Sequence, residues 1–278
     1  VSVTISNKQS QDGSPVAGPF TDTLEVHVYP AAGEMKAFLC ADDYASQYYD
    51  YWLDIKDYDV ETSQTQTRMI GTYSLRTGEY YDGYFYAYND SGMLYRIAAQ
   101  NPSDYVTLGN HGLGEDQQIV SMAFDYYKGI MYGLTLPPYG DHGYLAKIDL
   151  ATGKAEKLCR TSAKVFAFAF DKNGTLFAAG SDTPYSDAKL YRLDTENGNC
   201  SEIQTLQNAR VYTGANYYAE RMYCSQMTYD YKTNRLYLHA TARQKMGASC
   251  NSGMYMIRLK EDSGIEGVAN IGKVALQM

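Results

Sequence analysis

Residues 165–180, VFAFAFDKNGTLFAAG, spell a strand, a tight turn and a second strand. Apolar side chains run up to Asp171, Asn173-Gly174 follows, and a new apolar run begins at Leu176. Asp accepts hydrogen bonds from the amides of its own turn, and Gly or Asn tolerates positive φ, so this punctuation has a mechanism. A looser copy, IVSMAFDYYKGIMYGL, stands at 119–134, and another, SQMTYDYKTNRLYLHA, at 225–240. Aligned on their aspartates, the three hairpins put Asp125, Asp171 and Asp230 in register, with Gly129, Gly174 and Asn234 as the turn residues. Asp125 and Asp171 are 46 residues apart, and Asp230 follows after 59, with an insertion between.

A third and a fourth strand follow each hairpin. The third is visible in YLAKIDLATGK (144–154), LYRLDTENGN (190–199) and GMYMIRLKEDSG (253–264), each ending in an Asp or Lys and turning through Gly. GYFYAYNDSGMLYRI (83–97) carries the same pattern earlier in the chain. The fourth strands are YVTLGN, AEKLCR, SEIQTL and GVANIG. The unit is four strands, a to d, and an N-terminal copy is spelled by TLEVHVYP, EMKAFLCA, YDYWLDIKDYD and TRMIGTYS. That makes about five units between Thr23 and Gly272, although the unit over 70–112 shows no clear strand a. No apolar period of 3.6 residues runs long enough for a substantial helix.

Four antiparallel strands repeated at this spacing predict an all-β fold, a β-propeller of about five recognisable blades, or six or seven if the chain is part of a longer one. Residues 23–278 are expected to be one propeller domain. Residues 1–22 are expected to be a linker or a strand that closes the last blade, which would remove an exposed edge. The final IGKVALQM is alternatively the start of a further blade.

The stretch MAFDYYKGIMYGLT with YLAKIDLATGKAEKL (122–135 and 144–158) resembles the propeller repeats of large secreted or surface-attached bacterial proteins. The layout is similar to the YVTN, quinoprotein-like and WD40-like groups, over roughly residues 70–272. The chain lacks the GH and WD dipeptides of WD40 repeats, and with one Trp it lacks the tryptophan-rich signature of quinoprotein dehydrogenases. FDKNGTLF (170–177) only faintly resembles the Asp box of sialidase-type propellers. Such a resemblance specifies fold and leaves activity open, because these propellers serve binding, scaffolding and catalysis.

Composition narrows the function classes. The net charge is -8, with 24 basic and 32 acidic residues and no basic run, so phosphate-backbone binding is not expected. No stretch approaches the roughly 20 apolar residues of a membrane-spanning helix, and no membrane insertion is expected. The chain has 29 Tyr against one Trp and eight Phe. Tyr combines apolar area with a hydroxyl, which suits half-exposed sheets and wet binding faces. An extracellular or cell-surface setting is expected, with no signal peptide in the sequence, and a chain that is a monomer or one part of a larger multidomain protein. No GxSxG, GxGxxG or P-loop occurs.

In a propeller the a–b and c–d turns share one face, and the b–c and d–a connections share the other. Here the second face receives the long loops, which is where function usually sits. Two b–c loops repeat a motif at the 46-residue offset: Pro138-Tyr139-Gly140-Asp141 and Pro184-Tyr185-Ser186-Asp187. A ring beside a carboxylate suits sugar recognition; the same carboxylates suit calcium, which takes several oxygen ligands; a third reading is a stiffened, duplicated turn. His111 and His142 fall on this face, and Tyr217, Tyr218, Glu220 and Arg221 lie in its longest d–a loop. Of the five cysteines, Cys224 and Cys250 bracket one hairpin and are placed to bridge it; the alternative is that Cys40, Cys159, Cys200, Cys224 and Cys250 are all small buried hydrophobes. The expected function is a binding or scaffold module that takes a glycan or a protein through the long loops, with no cofactor beyond calcium. The alternative is a carbohydrate-active enzyme, a glycoside hydrolase or lyase, using a carboxylate pair on the same face.

Overall fold

A computed structural model describes residues 35–43, 47–55, 65–71, 75–101, 104–114, 117–136, 142–180, 187–206, 226–242 and 251–272, with side chains described from Leu75 onward except at 136, 240–242 and 251–254. Three strands, β1 (Met35–Asp43), β2 (Gln47–Ile55) and β3 (Thr65–Gly71), form an antiparallel sheet in the order β1-β2-β3. Four antiparallel four-stranded blades follow. Blade I is β4 (Leu75–Tyr81), β5 (Tyr84–Asn89), β6 (Met93–Ala98) and β7 (Tyr105–Asn110). Blade II is β8 (Gln118–Asp125), β9 (Ile130–Leu136), β10 (Tyr144–Ile148) and β11 (Ala155–Arg160). Blade III is β12 (Val165–Phe170), β13 (Leu176–Gly180), β14 (Ala188–Leu193) and β15 (Cys200–Leu206). Blade IV is β16 (Gln226–Asp230), β17 (Arg235–Ala242), β18 (Asn251–Leu259) and β19 (Ile265–Gly272).

The blades form a β-propeller, and among the described residues there are four four-stranded blades rather than about five. The N-terminal unit supplies the expected strands b, c and d as β1, β2 and β3, which make a three-stranded sheet; its expected strand a, at 23–30, lies outside the described residues. Blade I does possess the inner strand that the sequence failed to reveal. β4, LRTGEYY, pairs with β5 from Leu75↔Asn89 to Tyr81↔Tyr84 despite carrying Arg76, Gly78 and Glu79.

The predicted turns are made as their residue types demand. Asp125 Oδ1 accepts the Tyr127 and Lys128 amides at 2.8 and 3.1 Å, and Asp171 Oδ1 accepts those of Asn173 and Thr175 at 2.9 and 2.8 Å. Asp230 Oδ1 takes the Lys232 amide at 2.9 Å. The second oxygens of Asp125 and Asp171 are buried without a hydrogen-bond partner, so burial raises the Asp125 pKa.

The core lies between blades. All six residues of β12 are buried, because this inner strand is covered on both faces: Phe168 and Phe170 pack toward blade II, while Phe166 and Ala167 pack toward blade IV. Outer strands such as β7 and β11 are largely exposed. Neighbouring rims interlock at the c–d turns. Ser162 donates its amide to Gly198 O at 2.9 Å, and Ala155 donates to His111 O at 2.9 Å. Gly198 (φ 77) is required by this contact, since a Cβ there would stand 2.1 Å from Arg160 O. The inner strands also converge. Phe168 donates its amide to Ser121 Oγ at 3.2 Å, Gln226 Nε2 donates to Val120 O at 3.0 Å, and the Thr77 hydroxyl donates to Gln226 Oε1 at 3.3 Å. Gln226 of blade IV therefore ties the inner strands of blades I and II together on the axis.

Candidate functional site

Each inner strand runs out into the a–b turn at one end of the axis. The side chains at these ends decide what that end presents. Blade I ends in Tyr80-Tyr81, blade II continues from Asp125 into Tyr126-Tyr127, and blade IV continues from Asp230 into Tyr231. Tyr81 stacks on Phe124 with centroids 3.8 Å apart. Phe124 meets Tyr126 edge-on at 4.8 Å and 75°, Tyr126 meets Tyr231 at 5.3 Å and 77°, and Tyr231 meets Tyr229 at 4.7 Å and 88°. Five rings from blades I, II and IV thus form one chain, and the Tyr126–Tyr231 contact joins two blades that are not neighbours in sequence. Edge-to-face pairs at these separations are favourable beyond their buried area. Tyr80 and Tyr127 flank the chain and stand open to solvent, at 39% and 52% exposure.

Glu79 sits on β4 two residues before this end. Its Oε1 accepts the Tyr80 amide at 3.0 Å, and among the described residues no cation pairs with it. Part of the side chain still touches water, yet burial of the carboxyl group pushes its pKa up to about 8. Tyr126 feels its charge: burial raises the Tyr126 pKa, and Glu79 is the largest electrostatic contributor in the same direction. The Tyr126 hydroxyl donates to Tyr80 O at 3.4 Å.

The opposite face carries His111, His142 and Asp187, three of the residues singled out from sequence. His111 is buried, stands edge-on to Tyr88 at 5.9 Å, and accepts the Leu113 amide on Nδ1 at 3.0 Å. Burial lowers its pKa. His142 is half-buried, and its Nδ1 lies 2.9 Å from Thr161 O. Asp187 is half-buried at the start of β14. Both rings therefore brace their own loops. Tyr139, Asp141, Tyr185, Tyr217, Tyr218, Glu220 and Arg221 lie outside the described residues, as do Cys224 and Cys250. Cys159 and Cys200 are free and half-buried, and burial raises both thiols, which favours the unreactive protonated form.

A groove of about 390 Å³ opens on the turn face between blades II and III, lined by Lys128, Thr175, Arg192, Asp194 and Glu196. Three of its charged side chains hold turns together. Lys128 Nζ donates to Thr195 Oγ1 at 3.2 Å, Arg192 Nη2 donates to Ser263 O at 2.9 Å, and Asp194 Oδ1 accepts the Glu196 amide at 2.8 Å. Among the described residues no three His, Cys, Asp or Glu side chains gather to hold a metal ion, and no helix is long and apolar enough to cross a membrane. The axial ring chain was missed in the sequence. Its available signal was the dipeptide Asp-Tyr, which recurs at 125–126 and 230–231 at equivalent turn positions.

No protein-family model matches the chain, and no curated protein matches it in sequence. Among solved structures it is similar to a chain of the nidogen/laminin complex, at a TM-score of 0.52 and 10% identity over 85% of this chain and 93% of that one. It is similar to the PQQ-bound aldose sugar dehydrogenase of Streptomyces coelicolor at a TM-score of 0.48 and 11% identity, over 88% and 87% of the two chains. For Kuenenia stuttgartiensis hydrazine synthase the TM-score is 0.45 and the identity 11%; the match covers 81% of this chain, which spans only 62% of that one. At such identities the likeness is one of fold, the β-propeller.

Proposed function

We propose that this propeller is an extracellular binding or scaffold module that engages a protein partner through the tyrosine-rich axial end of its turn face. The observation that carries the reading is the five-ring chain from Tyr81 to Tyr229, flanked by the exposed Tyr80 and Tyr127. Interface cores are enriched in Tyr, which offers large contact area at low entropic cost and keeps a hydroxyl for hydrogen bonds. The rings are held by packing across three blades, so little order has to be gained on binding. A chain of similar fold, at 10% identity, comes from a protein–protein complex, that of nidogen with laminin. The duplicated Pro-Tyr-x-Asp motif supports a second surface on the loop face, through Tyr139, Asp141, Tyr185 and Asp187, for a glycan or calcium.

The test is binding of the immobilised chain to protein and glycan arrays, followed by titration of each hit against variants. Tyr80→Ala and Tyr127→Ala are expected to weaken a protein hit by roughly 30-fold each, the size of an interface hot spot. Tyr139→Ala and Tyr185→Ala are expected to leave it unchanged. The reverse pattern would move the working surface to the loop face.

A further inference from the structure

We propose that the groove of about 390 Å³ between blades II and III binds a neutral saccharide, its polar lining taking the hydroxyls and Tyr127 covering a C–H face of the sugar ring. This site does not depend on the axial end being a protein-binding surface, and it is distinct from the Pro-Tyr-x-Asp loops. Its volume falls within the range of small-ligand clefts, roughly 300–1,000 Å³.

The lining decides the ligand class. Lys128 and Arg192 contribute positive charge, and Asp194 and Glu196 contribute as much negative charge. An anion would meet the carboxylates and a cation would meet the basic groups. An apolar ligand would strip water from all four without replacing it. A sugar hydroxyl both donates and accepts hydrogen bonds, so it matches a surface that offers donors beside acceptors. Donors and acceptors remain for it. Lys128 spends one of its three N–H groups on Thr195 Oγ1, and Arg192 one of its five on Ser263 O. Asp194 serves its own turn, accepting the Glu196 amide on Oδ1 and the Asn197 carboxamide on Oδ2. Glu196 and Asn199 are exposed, and among the described residues their side chains make no hydrogen bond. Bonds from a hydroxyl to Glu196, Lys128 or Arg192 are charge-assisted and therefore stronger than neutral ones.

An aromatic ring stands at the edge of the groove. Gly174 lines it, and an added Cβ there would lie 3.1 Å from Tyr127 Cβ and 3.4 Å from Cγ. The missing side chain lets Tyr127 rest against the groove wall while staying 52% exposed. Tyr joins an apolar ring face to a hydroxyl, which suits the mixed C–H and O–H surface of a sugar.

The experiment follows the backbone amide signals of the nitrogen-15-labelled chain. Maltose, cellobiose, lactose and N,N′-diacetylchitobiose are each titrated to tens of millimolar, with anionic digalacturonate and cationic chitobiose as comparisons. At least one neutral disaccharide is expected to shift the amides of Lys128, Thr175, Glu196 and Asn199 along a saturable curve, and the charged pair to bind more weakly. Glu196→Ala and Tyr127→Ala are expected to weaken that binding about tenfold each. Ser201→Trp, at an exposed position of β15 that lines the groove, is expected to fill it and abolish binding. Tyr80→Ala and Tyr185→Ala are expected to leave it unchanged. If no neutral disaccharide moves these amides, if a charged one binds more tightly, or if Ser201→Trp binds as before, the proposal is overturned. A protein hit weakened by Tyr80→Ala but not by Ser201→Trp belongs to the axial end, so the two surfaces stand or fall separately.

Discussion

Replacing Glu79 by Gln should stabilise the protein at alkaline pH and leave it unchanged in acid. The folded carboxyl titrates at about 8, against an ordinary value of 4.5. The native state therefore holds a proton that the unfolded chain has released throughout the window between those values. Where the native state binds more protons, stability falls as pH rises. The neutral acid's contribution is complete below 4.5 and is lost as pH climbs through about 8. The full gap corresponds to about 4.8 kcal/mol, at ~1.36 kcal/mol per unit. Residual water contact at Glu79 screens much of this, and roughly 1–2 kcal/mol is the realistic share. For a chain of this size that is a shift in Tm of roughly 2–8 °C. Gln cannot ionise, so Glu79→Gln escapes the loss. Calorimetric melts of both proteins from pH 5 to 9 give the difference in Tm, from which Asp125, His111 and every other shared group cancel. The difference should grow from near zero at pH 5 to its full value at pH 9. A difference that stays flat across the range would show that the ring environment does not hold the carboxyl neutral.

Two further substitutions examine the blade contacts. Phe168→Ala empties a fully buried site on β12 between blades II and III, and urea unfolding should show a loss of roughly 3–5 kcal/mol; a loss under about 1 kcal/mol would mean the inner strand is not packed as described. Gly198→Ala should cost more than Gly129→Ala, since both have positive φ (77 and 69) but only at Gly198 does the added Cβ meet backbone, 2.1 Å from Arg160 O. The strain common to both is about 1–2 kcal/mol, and equal losses of stability in the two variants would remove the rim contact as a source of cohesion.

Much of the fold was legible because its signals are local. An Asp that caps its own turn and a Gly or Asn at positive φ fix a hairpin wherever they fall, and the strands YVTLGN and AEKLCR occur as β7 and β11 residue for residue. β4 escaped notice because it lacks apolar alternation. Thr77 reaches Gln226 and Glu79 lies among the axial rings, so this strand spends polar residues on the centre of the ring, and its strand character comes from pairing with β5. The blade count was less legible, since β1 to β3 carry strand-like sequence while a fourth strand is not part of the described residues. The histidines misled in a different way. His111 falls in a polar loop by sequence, but its ring is buried against Tyr88 of its own blade and accepts the Leu113 amide.

The axial ring chain belongs to a third class, one that local sequence cannot encode. Tyr126 and Tyr231 each follow a turn Asp at equivalent positions, which fixes the end of the axis that each one occupies. Whether they touch depends on the radius of the ring, because blade III lies between their blades in sequence. Among the described blades the inner strands converge closely enough for Gln226 to reach both Thr77 and Val120, and the same convergence brings the two rings to 5.3 Å. Inserting a further blade between II and IV would spread the inner strands, part Tyr126 from Tyr231 and expose Glu79 to water. The carboxyl group would then return toward its ordinary pKa, since desolvation is the leading cause of its shift. The repeat unit thus sets the hairpins, while the number of repeats sets the chemistry at the axis.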